Sequence, residues 1–220
     1  MKYEVLNCKS LFQIAKTFAY EQSLINHEEL IGVTDGKAVG TYVEHLFEEY
    51  LLNECPDVTI GNSAKGIDLP DVRLNCDIKV TSIRQPQSSC PYRDTKQKIY
   101  GLGYNLLLFV YEKIDSSHSC KLEFKHVTLV DSSRTADFTL TKMILKMLDA
   151  GANRYDLVAL FEDKALPGDE ITLTNLADEV LENPPKQGYL TISNALQWRL
   201  QYSRVIALDN EVYGVLNYDR

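Results

Sequence analysis

Asp68, Asp77 and Lys79 stand in the stretch "GIDLPDVRLNCDIKVTS", residues 66 to 82, all beside apolar residues. Val72, Leu74, Cys76, Ile78 and Val80 alternate there without interruption, the two-residue period of a strand. Arg73, Asn75, Asp77, Lys79 and Thr81 then project from the opposite face, so Asp77 and Lys79 are same-side neighbours. Pro70 fixes φ and lacks a ladder donor, which puts Asp68 on a preceding strand end or turn. Two carboxylates close together repel unless a cation sits between them, and hard oxygen ligands with few geometric demands suit Mg²⁺. The Ile78 backbone carbonyl is a candidate for a further oxygen ligand. A lysine on the same face stays protonated beside so much negative charge and is placed to orient a water or steady charge on a phosphate. Carboxylates, Mg²⁺ and a lysine together suit metal-assisted hydrolysis of a phosphodiester. The plainer alternative for Asp77 and Lys79 is a cross-strand salt bridge on the solvated face of an edge strand, worth little.

Such a site needs elements that hold it. Ser10 and Gln13 have capping-box form, and apolar residues from Leu11 to Ala19 recur at helical spacing, predicting a helix over residues 11 to 24. In "TDGKAVGTYVEHLFEEYLL" the residues Val39, Val43, Leu46, Phe47, Tyr50 and Leu51 keep one face for three turns, with Glu44 and Glu48 on an adjoining face. "DVTIG" is a short strand candidate. "TKQKIYGLGY" reads as a helix ended by its glycines, the apolar run Leu106 to Tyr111 as a strand buried on both faces, and "KLEFKHVTLV" as one more strand. Helix, two or three strands, helix and buried strand make an α/β layer arrangement.

The pattern resembles the PD-(D/E)XK nuclease superfamily. "GID" followed by "DIK" looks like its Asp…(Asp/Glu)-x-Lys motif, "GTYVEHLF" resembles the helix bearing its upstream glutamate, and the element order over residues 37 to 112 matches its common core. Ile67 stands where the motif's proline would. The run "DIKVTSIRQPQSSCP…QKIYGLGYNLL" is similar to bacterial type II restriction endonucleases. The resemblance implies Mg²⁺-dependent cleavage of duplex DNA leaving a 5′-phosphate. Asp68 and Asp77 would ligate the metal, Lys79 would position or activate the water, and Glu44 would serve beside or on a second metal. An ordinary surface acid is the alternative for Glu44, and Glu48 is its rival one turn later.

Charge qualifies the DNA partner. The chain's net charge of -8 weighs against phosphate binding, yet between Lys79 and Lys98 five basic residues face one acid, and from Lys186 to Arg204 three basic residues face none. Arg84, Gln85, Gln87, Ser88 and Ser89 directly follow the metal-site strand, and Arg and Gln are the side chains that read guanine and adenine edges. A polar surface loop is the alternative. After about residue 136 helices dominate: "FTLTKMILKMLDAG", "RYDLVALFED", then "ITL", "TNLADEVLENPP", "TISNALQWRLQYSRV" and the strands "RVIAL" and "VYGVLNY", the order of a winged helix-turn-helix. In its last helix Ser193, Asn194, Gln197, Arg199 and Gln201 sit on the exposed face suited to a major groove, or the region makes a dimer. Residues 136 to 220 carry eight basic against thirteen acidic residues.

The five scattered cysteines form no C-x-x-C pair, the four histidines have no ligand spacing, and no apolar run approaches the roughly 20 residues that span a bilayer. No signal peptide opens the chain, so a bacterial cytoplasmic protein with reduced thiols is expected. The sequence thus predicts an α/β nuclease domain over residues 1 to 135 and a winged-helix-like domain over 136 to 220. Its expected activity is site-specific cleavage of double-stranded DNA, by a homodimer matched to a palindromic site. A repair or Holliday-junction nuclease and a non-catalytic winged-helix regulator are the alternatives.

Overall fold

The computed structural model describes residues 6–61, 66–89, 91–193 and 199–219. Helix α1 (Cys8–Gln22) is opened by Asn7, whose side chain accepts from the Lys9 and Ser10 amides at 2.9 and 3.1 Å while the Ser10 hydroxyl accepts from the Asn7 amide. The capping box is therefore Asn7 with Ser10, three residues earlier than the expected Ser10 with Gln13, because Asn accepts from the first-turn amides directly. Helix α2 (Gly36–Glu54) starts at Asp35, which accepts from the Lys37 amide, and buries Val39, Val43, Phe47 and Leu51.

The central sheet is mixed, in the order β1 (Cys76–Ser82), β3 (Asn105–Asp115), β4 (Cys120–Val130) and β7 (Val215–Asp219). β1 runs parallel to β3, and the other neighbours are antiparallel. A parallel pair needs a crossover, supplied by β2 (Gln87–Ser89) and α3 (Thr95–Tyr100). α1 and α2 cover one face of the sheet. Phe18, Phe47, Phe109 and Phe124 meet there in edge-on and tilted contacts, with Phe47 and Phe109 centroids 5.0 Å apart. Leu106, Leu108 and Val110 face the other way into a second core with Leu190, Ile192, Leu200 and Tyr202. Every residue from Leu106 to Tyr111 is buried, as the apolar run predicts. Helices α4 (Phe138–Asp149), α5 (Arg154–Asp163) and α6 (Glu170–Glu182) enclose a third cluster around Ile144, Phe161 and Ala177, against Ile99 of α3. The α/β class and a mixed sheet flanked by helices are as expected, and the arrangement is compatible with a restriction-endonuclease-like core. Among the described residues no helix is long and apolar enough to cross a membrane.

Several elements differ from expectation. β1 begins at Cys76, not Val72, and Val72 is 94% exposed. Asp71 draws the preceding residues into a turn: its carbonyl accepts from the Leu74 and Asn75 amides, and its carboxylate grips the Arg73 guanidinium at 2.6 and 2.9 Å. A local carboxylate that satisfies nearby donors competes with the sheet ladder. "DVTIG" forms no strand, although Val58 is buried.

Among the described residues the C-terminal order differs from that of a winged helix-turn-helix. "ITL" lies inside α6, where Leu173 joins Leu176, Ala177 and Val180 on a helical stripe. The expected last helix, "TISNALQWRLQYSRV", is extended where described: β5 (Thr191–Ile192) and β6 (Arg199–Gln201) pair antiparallel, and β6 also pairs with β2. Ile192 and Leu200 are directly opposed and both buried, so the unpaired edge of β2 and the second core override helical spacing. Arg199, expected on that helix, is thus a strand residue, while Asn194 and Gln197 lie outside the described residues. "RVIAL" carries the short helix α7 (Ser203–Ile206), and β7 within "VYGVLNY" pairs with β4 instead of forming a hairpin.

Phe109 lies at the centre of the aromatic cluster. Phe109→Ala is expected to cost about 3–5 kcal/mol in equilibrium urea unfolding, and a loss under 1 kcal/mol would show that the cluster does not hold helices to sheet.

Candidate active site

β1 is the outer strand of the central sheet, and its free edge is covered by the segment carrying Asp68. Leu69 and Cys76 exchange backbone hydrogen bonds at 2.9 and 3.0 Å, and the Ile78 amide donates to Asp68 Oδ2 at 2.7 Å. An edge amide that would otherwise need water thus fixes a carboxylate beside the strand. The Asp71–Arg73–Asp57 bracket holds the turn between them. Arg73 bonds Asp57 Oδ2 at 2.8 Å, and its guanidinium keeps the Asp71 carboxyl well below the usual carboxylate range.

Asp77 and Lys79 project from the same side of β1, as the alternation requires. Lys79 Nζ lies 2.5 Å from Asp77 Oδ2 and 3.1 Å from the Ile78 carbonyl oxygen. Asp77 is 4% exposed, so this is no solvated surface pair. Burial pushes its carboxyl up to about 7, against the pull of Lys79 and reinforced by the charge of Asp68 and a hydrogen bond with it. Asp68, Asp77, Lys79 and the Ile78 carbonyl therefore converge. Glu44, half-buried on α2, is raised by burial first and then by the charges of Asp68 and Glu48, with Lys79 opposing. Glu48 is raised by burial and by Asp68, but no lysine is among the groups acting on it. Both glutamates sense Asp68, and Glu44 alone of the two also senses Lys79.

No three His, Cys, Asp or Glu side chains form a ready metal cage among the described residues. The oxygen donors are two carboxylates and one backbone carbonyl. That set fits Mg²⁺, which keeps several waters and takes one or two protein carboxylates. The Lys79 ammonium already bridges two of these oxygens, and burial, with the charge of Asp68 added, raises the Asp77 and Glu44 carboxyls despite it.

Arg84 and Gln85 occupy an exposed turn just past β1. Gln87 and Ser89 lie on β2, and Arg199 is directly opposite Ser89 on β6. Ser88 is turned inward, its hydroxyl 2.6 Å from that of the buried Tyr202, on the face opposite Gln87 and Ser89. Thr81 has a structural part that the sequence reading gave it only as a face. Its hydroxyl donates to the Gln87 carbonyl at 3.1 Å and accepts from the Gln87 amide at 3.2 Å, binding β2 to the strand of Asp77 and Lys79. Its position two residues past Lys79, with matching strand parity, was the available signal.

A mixed sheet with two acids and a lysine at its edge is compatible with the core of a restriction-endonuclease-like nuclease. The chain belongs to the NspV family of type II restriction enzymes, whose family description, "Type II restriction enzyme NspV", matches residues 5–217. It is 50% identical over 218 residues to the type II restriction enzyme NspV of Nostoc sp. (strain ATCC 29411 / PCC 7524), covering 98% of each chain. No solved structure matches it. The protein is thus a site-specific DNA endonuclease acting on double-stranded DNA, of a class that generally uses divalent metal ions.

The Asp77 carboxyl sits near 7 in the folded protein against an ordinary value of 3.8, so the folded chain holds that proton more tightly than the unfolded one. Its contribution favours folding fully below the unfolded value and is lost as pH rises towards 7. Metal-free protein should lose roughly 2–4 kcal/mol from this group between about pH 4 and pH 7. Asp77→Asn should remove that part of the slope in urea titrations across the range, and an unchanged slope would contradict the assignment.

Proposed function

We propose that the protein is a Mg²⁺-dependent restriction endonuclease whose catalytic groups are Asp68, Asp77, Lys79 and Glu44. The observation that carries this reading is that the Lys79 ammonium meets the Asp77 carboxylate and the Ile78 carbonyl on β1, while the Ile78 amide holds the Asp68 carboxylate beside them. Asp68, Asp77 and the Ile78 carbonyl would hold the ion, which supplies Lewis acidity toward water and phosphate. Asp68 is held beside the strand by the Ile78 amide, which leaves its other carboxylate oxygen to serve as a ligand. Lys79, 25% exposed, reaches both the buried oxygens and solvent, which suits it to orient the attacking water and to offset charge developing on the phosphate. Glu44 stands one layer back, where a proton or a second cation would relieve its burial beside Asp68. The products would carry a 5′-phosphate.

One such site cuts one strand. A two-fold homodimer presents two sites with the symmetry of a palindromic target, and supports the reading of both strands from one surface. The division near residue 135 is then a functional one: residues before it carry the candidate catalytic groups, and residues after it add the helical cluster and the strands β5, β6 and β7. Arg84 and Gln85, exposed just past β1, are placed to meet the DNA backbone or bases near the cut.

With phage DNA and Mg²⁺ the protein should give discrete fragments, and EDTA should abolish them. Asp77→Asn should lower cleavage at least 1,000-fold, roughly the scale of removing a metal-site group, while still shifting DNA in a gel. Cleavage within tenfold of wild type in the variant would refute the metal role of Asp77. Lys79→Ala should lower cleavage roughly 100-fold or more with little loss of DNA affinity, and an equal loss of both would make Lys79 a binding residue.

A further inference from the structure

The strands β2, β6 and β5 form a separate antiparallel sheet on the second core. Its register sets Ser89 opposite Arg199, Gln87 opposite Gln201, and Gln201 opposite Thr191. Directly opposed residues share a face. On the other face Ser88, Leu200 and Ile192 are aligned, and Leu200 and Ile192 are buried against Tyr202. Gln87, Ser89, Thr191, Arg199 and Gln201 therefore turn away from the core, and all five are half-buried or exposed. Among the described residues, Gln87, Arg199 and Gln201 have no side-chain hydrogen bond within the chain. Arg204 flanks the face, with Nε 3.4 Å from Thr191 Oγ1 and its guanidinium 4.0 Å from the Phe138 ring centroid. No acidic residue occurs from residue 79 to 89 or from 186 to 204, in a chain of net charge -8.

This face is anchored at two points. Thr81 ties Gln87 to the strand of Asp77 and Lys79, and the buried carboxylate of Asp137 accepts from the Ile192 amide at 3.0 Å while capping α4 at the Leu140 amide. A set of unpaired amide and guanidinium side chains on a rigid sheet, free of carboxylates and fixed to the candidate catalytic strand, matches direct readout of DNA. A major groove about 12 Å wide admits a two-stranded ribbon, and three strands about 4.8 Å apart span only about 10 Å.

We propose that the outward face of this small sheet reads base edges in duplex DNA, with Arg199 directed to guanine and Gln87 and Gln201 to adenine. The proposal rests on the endonuclease reading above. It replaces a recognition helix with a strand surface.

The test is end-sequencing of a digest of a library in which the base pairs of the wild-type target are varied one at a time. Wild type must first give a defined target; a wild type that binds DNA but yields no defined site would defeat the endonuclease reading itself, separately from this one. Gln87→Glu and Gln201→Glu preserve side-chain shape, and Arg199→Ala removes the fork, with each variant's melting temperature checked against wild type. Each should cut the parental site about tenfold to a hundredfold more slowly, with altered preference confined to one base pair, and should keep its affinity for unrelated DNA at low salt. Unchanged rates and unchanged preference at every position would overturn the proposal. For Arg199, a uniform weakening across all sequences with a salt slope reduced by about one would mark a phosphate contact and equally overturn its assignment.

Discussion

One hydrogen bond organises the candidate site: the Ile78 amide, on the free edge of β1, donates to Asp68 Oδ2. An edge strand exposes donors that must find partners, and here the partner is a carboxylate from a segment nearly adjacent in sequence. That bond brings a second negative charge to a strand whose own Asp77 is already buried. The Asp71–Arg73 turn and the Leu69–Cys76 bridge keep the segment from moving away. The fold thus places like charges together and neutralises them only in part, with Lys79. A cluster left short of positive charge is costly in the free protein and is favourable ground for a divalent cation.

The same strand connects the candidate catalytic groups to the proposed reading face. Asp77, Lys79 and Thr81 share one side of β1, and Thr81 ends the series by bonding to β2. A shift of the small sheet would be felt at the carboxylates within a few residues of rigid backbone. Behind β1, the aromatic cluster of α1, α2, β3 and β4 supplies a base that does not yield. The acidic surplus of the chain falls largely outside the small sheet's face, so overall charge and local charge have opposite bearing on DNA.

Much of this was legible from sequence where one interaction dominates. The uninterrupted alternation around Asp77 fixed its face and that of Lys79, and the six-residue apolar run fixed β3, because side-chain period and burial agree there. α2 was readable from three turns of one apolar stripe. The start of β1 was not, because Asp71 makes a turn from residues whose alternation still reads as strand. The C-terminal hairpin was misjudged for a related reason. Ile192 and Leu200, eight residues apart, suit a helical stripe and a strand face alike, and only the edge of β2, more than a hundred residues earlier, decides between them. Of the candidate DNA residues, Ser88 could be separated from Gln87 and Ser89 only once the register of β2 was known.

The central proposal is that Asp68 and Asp77 grip a divalent cation, and that its arrival draws the Asp77 carboxyl, raised by burial, toward its ionised form. Calorimetric titration of metal-free protein with Ca²⁺ or Mg²⁺ near pH 7, in two buffers of different ionisation enthalpy, measures both at once. Saturable binding with proton release, lost in Asp68→Asn and Asp77→Asn, is the outcome the account requires. Binding of equal strength in those variants, with no proton released, would contradict it.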